Sequence, residues 1–479
     1  MNEIIKRSLQ EHKEALLKKE YSSAELVGAY VDRIECVDSE IGAFLRVDPE
    51  KAVALAKDSD KRRKAGEALS EFDGIPIALK DNICTSDMPT TCASEMLTDY
   101  VPPYDAFVTK KLKDSGFIII GKTNLDEFGM GSTGENSAFK ITKNPNNIKH
   151  TAGGSSCGSA AALRALEVPA ALGSDTGGSI RLPSSFCGCV GMKPTYGRVS
   201  RYGLVAFASS LEQIGPMTRT VRDNSSLFDV ISGRDAKDQT SFDYISPNHN
   251  KEFSLKGIKI ALPKELLEEN ISSEVSSAVL KAAKVLRELG AEVFEISLPS
   301  LKYALPTYYI ISCAEASSNL ARFDSVRCGK RASNAISTED IYKLSRSEYL
   351  GDEVKRRILL GSYLLSEGYR EKYYKKALSV RELIKSDFEN AFSKCHAMLS
   401  PTAPTSAPLL CEKSDNVTDI YHKDICCVPA NIAGIPAISL PFERDSEGLP
   451  IGIQLIGAAN SEDTLYNIET LLEASAGEL

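Results

Sequence analysis

Apolar residues recur at helical spacing from the first residues of the chain: Ile4, Ile5, Leu9, Ala15, Leu16 and Leu17 predict a helix over 3–18. A second helix opens at Ser22, where Glu25 three residues on completes a capping box, and runs to about Ile34. Ala43 to Val47 reads as a strand, and Asp48 with Pro49 caps and opens a helix to about Ala65. The apolar run from Gly74 ends in Lys80 and Asp81, and reads as a strand. Asp105 opens a helix to about Asp114. Phe117 to Ile120, apolar throughout, is a strand buried on both faces. A helix from Ser155 or Ser156 to Leu166 and strands over Val168–Leu172 and Cys189–Lys193 continue the alternation.

Further on, residues 233–255 are polar and read as a surface connection. A second unit follows: strand Gly257–Leu262, helix Ser273–Leu289 and strand Glu292–Ile296. Residues 340–395 read as long helices. Short strands at Ala437–Leu440 and Ile451–Ile456, then a helix from Asp463 to Glu473, close the chain. Alternation of helix and strand predicts an α/β fold with a mainly parallel or mixed sheet. The length of 479 residues fits one large domain with a helical excursion: a helical segment over 1–70 packed on a core over 71–479, with the excursion at about 300–395.

Composition narrows the partners. A net charge of −8 argues against nucleic acid held by bulk electrostatics, though not against one gripped by a partner. No apolar run approaches the ~20 residues that span a bilayer. With no export signal at the N-terminus, the twelve cysteines are expected to be reduced thiols of a cytoplasmic protein. Five histidines and no paired ligand spacing predict no metal site.

Two motifs invite misreading. Residues 116–123 fit the letters of a phosphate-binding loop, but their centre is Phe-Ile-Ile-Ile, a strand rather than a loop of upturned N–H groups. Residues 154–158 fit the Gly-x-Ser-x-Gly nucleophile elbow around Ser156. An elbow needs a buried strand before it, and here a polar segment with Pro145 precedes; it also needs a histidine, which only His249, His396 or His422 could supply.

Glycines and serines crowd residues 151–181, set between apolar runs. Such loops bring N–H groups and hydroxyls to one point, the requirement for attacking a carbonyl and holding its oxyanion. Lys80, at the end of an apolar strand, can act as a base if burial keeps it neutral. Taken singly, each residue has a plainer reading: a solvated lysine, helix-capping serines, a turn.

Together, Gly-Ile-Pro-Ile-Ala-Leu-Lys-Asp-Asn (74–82), Gly-Gly-Ser-Ser-Cys-Gly-Ser (153–159), Gly-Ser-Asp-Thr-Gly-Gly-Ser-Ile-Arg (173–181) and Phe-Cys-Gly-Cys-Val-Gly-Met-Lys-Pro (186–194) resemble the amidase signature family. The resemblance implies a single large domain with a mixed, twisted sheet covered by helices on both faces. It implies a Ser-cis-Ser-Lys triad: Lys80 as base, Ser155 as relay and Ser179 as nucleophile, with the amides of Thr176, Gly177, Gly178 and Ser179 as the oxyanion hole. Cys157 stands where the family usually has glycine, and Ala152 where it often has proline. If that position needs positive φ, Cys157 is strained by ~1–2 kcal/mol; it could also narrow the site or make it oxidisable.

Tracts 198–216, 314–324 and 353–358 resemble the branch of this family that serves as amidase subunits of aspartyl/glutamyl-tRNA amidotransferases, although Ser325 and Cys328 depart from that branch. That resemblance implies hydrolysis of glutamine to glutamate and ammonia. Arg357 would clamp the substrate carboxylate, Asp424 its ammonium, and Tyr308 would line the pocket. It further implies the B and C subunits of a heterotrimer as partners, with ATP and Mg²⁺ used by the complex, tRNA contacted mainly through the partner, and no cofactor in this chain. Two alternatives stay open: a stand-alone amidase on another small amide, and a structural subunit whose site has decayed through Cys157.

Overall fold

The computed structural model describes residues 3–243, 253–268, 270–412 and 422–475. Thirteen strands are formed: β1 (Phe44–Val47), β2 (Pro76–Lys80), β3 (Ile118–Thr123), β4 (Lys143–Asn144), β5 (Asn147–Thr151), β6 (Ala170–Asp175), β7 (Val190–Lys193), β8 (Gln213–Thr218), β9 (Lys259–Pro263), β10 (Glu292–Ile296), β11 (Ala397–Pro401), β12 (Ala437–Arg444) and β13 (Pro450–Gly457). Eleven of them make one sheet in the order β1-β3-β2-β6-β8-β7-β12-β13-β11-β9-β10, and β4 and β5 pair by themselves. The sheet is mixed. β3, β2 and β6 run parallel at one side and β11, β9 and β10 at the other, with antiparallel pairs between. Flanking helices complete a single α/β unit. Phe117–Ile120 does not form a phosphate loop: β3, which begins at Ile118, is buried at every residue and paired on both edges.

Several boundaries differ from the pattern-based expectation. The first helix is broken: a 3₁₀ turn over Glu3–Lys6 precedes Leu9–Lys18, because Ser8 and Glu11 form a capping box that restarts the chain. The second helix runs past Ile34 to Ile41, where Gly42 at φ 73° ends it. Asp105 does not cap its helix, which begins at Phe107; its carboxylate instead accepts from Ser86 N–H and Lys113. The polar connection 233–255 is described only in part, since 244–252 lie outside the described residues. Within the helical region the helices are Thr338–Tyr349, Asp352–Leu365 and Lys375–Phe392, the last preceded by a π turn over Arg370–Tyr374.

The glycine- and serine-rich stretch sits beside the middle of this sheet. β6 ends at Asp175 between β2 and β8, so the loop leaving it lies next to Lys80 at the end of β2. Pro401, the last residue of β11, and Gln454 of β13 also meet near this loop, where Gln454 bonds both Pro401 and Arg181.

Candidate functional site

All five residues of β2 are buried, which puts Lys80 at the strand end with none of its side chain exposed. Its Nζ donates to Ser155 Oγ at 2.7 Å, to Ser174 Oγ at 2.9 Å and to the Ser174 carbonyl at 3.2 Å. Burial pushes its pKa from 10.5 down to about 8, against the opposing pull of Cys157, Asp126 and Asp175. Nothing in the sequence singles out Ser174. It receives a further hydrogen bond from Asn82 Nδ2 at 2.9 Å, and so fixes where the amine points.

The serine pair is presented by a tight loop whose Gly154–Ser155 peptide bond is cis. Glycine is required at 154, because a Cβ there would collide with Asp126 Oδ2. Ser156 is not a nucleophile elbow: its hydroxyl donates to the Ser174 carbonyl at 3.2 Å and accepts the Ser174 N–H at 3.3 Å. No strand of the large sheet leads into it; β4 and β5, which come just before, lie outside that sheet. Of the three downstream histidines, His249 lies outside the described residues, and His396 Nδ1 accepts from Lys259 N–H.

Cys157 is the first residue of the helix Cys157–Arg164 and does not have positive φ, so the anticipated strain is absent. Its thiol is fully buried, and burial pushes it up to about 12, which leaves it protonated and poorly reactive.

Beyond β6 the chain turns through Thr176–Ser179 into the helix Arg181–Cys187, with Gly178 at φ 130°. Among the described residues the N–H groups of Thr176, Gly177 and Ser179 have no acceptor. The expectation for Gly178 is corrected: its N–H donates to Asp175 Oδ1 at 2.9 Å, so that amide is committed. Asp175 also accepts from Ile180 N–H at 3.2 Å, from Arg181 Nε at 3.1 Å and from Asn431 Nδ2 at 2.9 Å, all within a fully buried cluster. Burial would raise that carboxyl, but the Arg181 guanidinium outweighs it and holds Asp175 below the usual carboxylate range. The serine loops are joined by Ser156 N–H donating to the Ser179 carbonyl at 3.0 Å. Among the described residues no hydrogen bond joins the Ser155 and Ser179 hydroxyls. Ser179 keeps 8 % exposure.

Tyr308, Arg357 and Asp424 come together beside this loop. A Cβ on Gly177 would stand 2.6 Å from Tyr308 Cζ, so the ring closes directly over the turn. Tyr309 is the residue that sequence reasoning missed: its hydroxyl donates to Asp424 Oδ2 at 3.1 Å, and its ring lies 5.2 Å from the Arg357 guanidinium. Phe207 faces the same guanidinium at 5.5 Å, and Arg357 Nε donates to Glu353 Oε1 at 2.7 Å. The Glu353 partnership is readable as an i, i+4 pair on one helix. Burial opposes the charge on Arg357, but Tyr309, Glu353 and Tyr308 hold it well above its ordinary value. Asp424 is pushed up to about 7 by burial, with Arg357 acting against the shift. The arrangement offers a buried cation and an acid side by side, next to a turn with three unengaged amides. No group of three or more possible metal ligands occurs among the described residues.

A family model described as Amidase matches residues 25–466. The chain is 52% identical over 460 residues to the A subunit of Glutamyl-tRNA(Gln) amidotransferase from Halalkalibacterium halodurans, covering 96% of this chain and 95% of that one. Its fold is similar to the crystal structure of the A subunit of Glutamyl-tRNA(Gln) amidotransferase from Thermotoga maritima (TM-score 0.82, 40% identity, 99% of this chain and 96% of that one). It is also similar to a native peptide amidase from Stenotrophomonas maltophilia (TM-score 0.83, 27% identity, 98% and 96%).

Proposed function

The chain belongs to the amidase family and is an enzyme of amidase type, and on that premise we propose that it is the glutaminase subunit of a tRNA-dependent amidotransferase. The observation that carries the chemistry is the fully buried Lys80 amine, 2.7 Å from Ser155 Oγ.

Ser179 Oγ attacks the side-chain carbonyl carbon of glutamine. Its proton passes to Ser155, and the Ser155 proton passes to the neutral Lys80 amine, which acts as general base. The C=O electrons move onto oxygen, and the oxyanion is held by the N–H groups of Thr176, Gly177 and Ser179. One such donor is typically worth ~3 kcal/mol in the transition state. As the C–N bond breaks, the Lys80 ammonium returns a proton through Ser155 to the leaving nitrogen, and ammonia departs. Water then cleaves the γ-glutamyl ester on Ser179 by the same relay. Since no hydrogen bond joins the two serine hydroxyls in the unliganded site, one hydroxyl rotation completes the relay when substrate binds. Arg357 takes the α-carboxylate, a match for its planar fork. Asp424 takes the α-ammonium, and Tyr308 lines the pocket with Tyr309. A bound ammonium restores Asp424 to its ionised form.

The relatives' names support the remainder of this reading. Ammonia passes to a B subunit, which activates tRNA-bound glutamate or aspartate with ATP and Mg²⁺. The assembly is completed by a small C subunit. This chain's own half-reaction uses side chains alone. The acidic balance of the chain agrees with tRNA being held by the partner. Among the described residues no helix is long and apolar enough to cross a membrane, and we assign the protein to the cytoplasm.

Ammonia release from glutamine and from a simple aliphatic amide, measured with wild type and Arg357→Ala, tests the reading. Arg357→Ala is expected to raise KM for glutamine at least tenfold and to leave the aliphatic amide unaffected. Preference for the aliphatic amide, indifferent to Arg357, would establish a stand-alone amidase instead.

A further inference from the structure

The segment Asp126–Gly129 takes no part in the acyl transfer, yet it touches both halves of the site. At one end, Asp126 N–H donates to the Ser155 carbonyl at 3.3 Å, and its carboxylate accepts from Gly134 N–H at 3.1 Å and Asn136 N–H at 3.0 Å. A Cβ on Gly129 would lie 3.7 Å from Ser155 Oγ, so the turn is seated against the relay hydroxyl itself. Between the two, Phe128 is held at φ 52°, an uncommon conformation for a bulky side chain. It is kept there by its N–H to the Cys92 carbonyl at 2.9 Å and by its ring against Phe323 at 5.0 Å.

The carboxylate of Glu127 reaches the other way. It is 3 % exposed, accepts the Ser94 hydroxyl through Oε1, and accepts Gly351 N–H through Oε2 at 2.8 Å. Gly351 is the N-cap of the helix Asp352–Leu365, and this helix has no capping side chain of its own. An acceptor at that position satisfies an N–H at the helix start, and a negative charge there is favoured by the helix dipole. The same helix carries Arg357, six residues further on, about 9 Å along its axis. Past Arg357 the helix is wedged against its neighbour at Gly361, where a Cβ would collide with the Cys313 carbonyl. Arg357 therefore lies between two fixing points, Gly361 in the packed half and Glu127 at the free end.

We propose that Glu127 is a positioning residue that sets substrate specificity, acting as a strut that holds the Arg357 helix in register with the Ser155 loop. The inference rests on the reading of Arg357 as the carboxylate clamp. The strut matters for an amide bearing an α-carboxylate and not for one without it. An amide that does not reach Arg357 meets only the triad and the 176–179 turn, which are tied to β2 and β6 independently of Glu127.

The test compares Glu127→Ala and Glu127→Gln with wild type, using the full chain, glutamine and a simple aliphatic amide. In Glu127→Ala, KM for glutamine is expected to rise about tenfold with kcat within about threefold of wild type, while kcat/KM for the aliphatic amide is unchanged. Glu127→Gln keeps an acceptor for Gly351 N–H and is expected to bring KM back to within about threefold of wild type. An equal loss with both amides would mean that Glu127 only supports the fold, and would overturn the proposal. So would an unchanged KM for glutamine in Glu127→Ala when Arg357→Ala raises it. If Arg357→Ala itself leaves glutamine kinetics untouched, the clamp reading fails first, and the two failures are thereby told apart.

Discussion

Replacing Lys80 separates its chemical role from its structural burden. An ordinary lysine of pKa 10.5 would be neutral in ~0.1 % of molecules at pH 7.5. With the pKa brought down to about 8 by burial, the neutral fraction becomes ~25 %, a gain of ~200-fold in available base. The activity of wild type on glutamine should therefore rise about tenfold per pH unit below 8 and level off above it, with one inflection near 8. Lys80→Arg, which cannot lose its proton, and Lys80→Met should each lose at least ~10³ in kcat/KM. The same shift carries a stability cost. The folded-state pKa is depressed, so below about 8 both states hold the proton and the folded state bears the full penalty of the buried charge. The penalty is relieved as pH rises from about 8 towards 10.5, where the unfolded chain binds the proton and the folded chain does not. The difference between 10.5 and about 8 corresponds to roughly 3 kcal/mol. Lys80→Met removes that penalty but leaves two hydroxyls without their donor, so a net stabilisation of about 1–2 kcal/mol is expected at pH 7, shrinking above pH 9. Steady-state ammonia release from pH 6 to 10 and thermal unfolding over the same range check both halves. A flat pH–rate profile, or a Lys80→Met protein that is both active and less stable at pH 7, refutes the reasoning.

Further outcomes follow from the turn and from the buried acids. Gly177→Ala introduces a Cβ 2.6 Å from Tyr308 Cζ and displaces either the ring or the amides of the turn; kcat should fall at least ~10²-fold with the melting temperature lowered by only a few degrees, measured by steady-state kinetics and calorimetry. Glu469 is fully buried, both of its oxygens are without a hydrogen-bond partner, and burial, with Glu473 nearby, raises its carboxyl well above 4.5. Its folded-state pKa is raised, so the destabilisation is absent below the unfolded pKa and grows as pH rises above it. Glu469→Met should therefore raise the melting temperature, by more at pH 8 than at pH 5, and thermal scans at the two pH values decide it.

Local motifs make the centre of the site readable. Lys80 ends an apolar run, and Ser155 and Ser179 stand in glycine-rich tracts whose residue types restrict what the backbone can do, so short windows carry the information. The same windows hide two details. The Gly178 N–H looks free along the chain, as an oxyanion donor must be; its acceptor, Asp175, is only three residues away but becomes one through the fold of the turn. Cys157 looks strained where a glycine is usual, yet the backbone at that position is ordinary helix. Tyr308 and Tyr309 show the limit of spacing: neighbours on a helix point about 100° apart, and only the packing of Asp424 and Arg357 decides which one joins them. The break at Ser8 is legible, since Ser8 and Glu11 spell a capping box that the apolar periodicity masks. Glu127 is not, because its partner Gly351 is 224 residues away.

The central claim is that Ser179 takes the acyl group, driven by Lys80 through Ser155. Trapping with a glutamine analogue that carries an electrophilic carbonyl at the side-chain position, followed by tryptic mass mapping, tests it most directly. Cleavage after Arg164 and Arg181 isolates a peptide that contains Ser179, while Ser155, Ser156 and Cys157 fall on the peptide before it. The adduct is expected at Ser179, with labelling lost in Lys80→Met. An adduct on the preceding peptide, or one at Ser179 that forms equally fast without Lys80, would contradict the account.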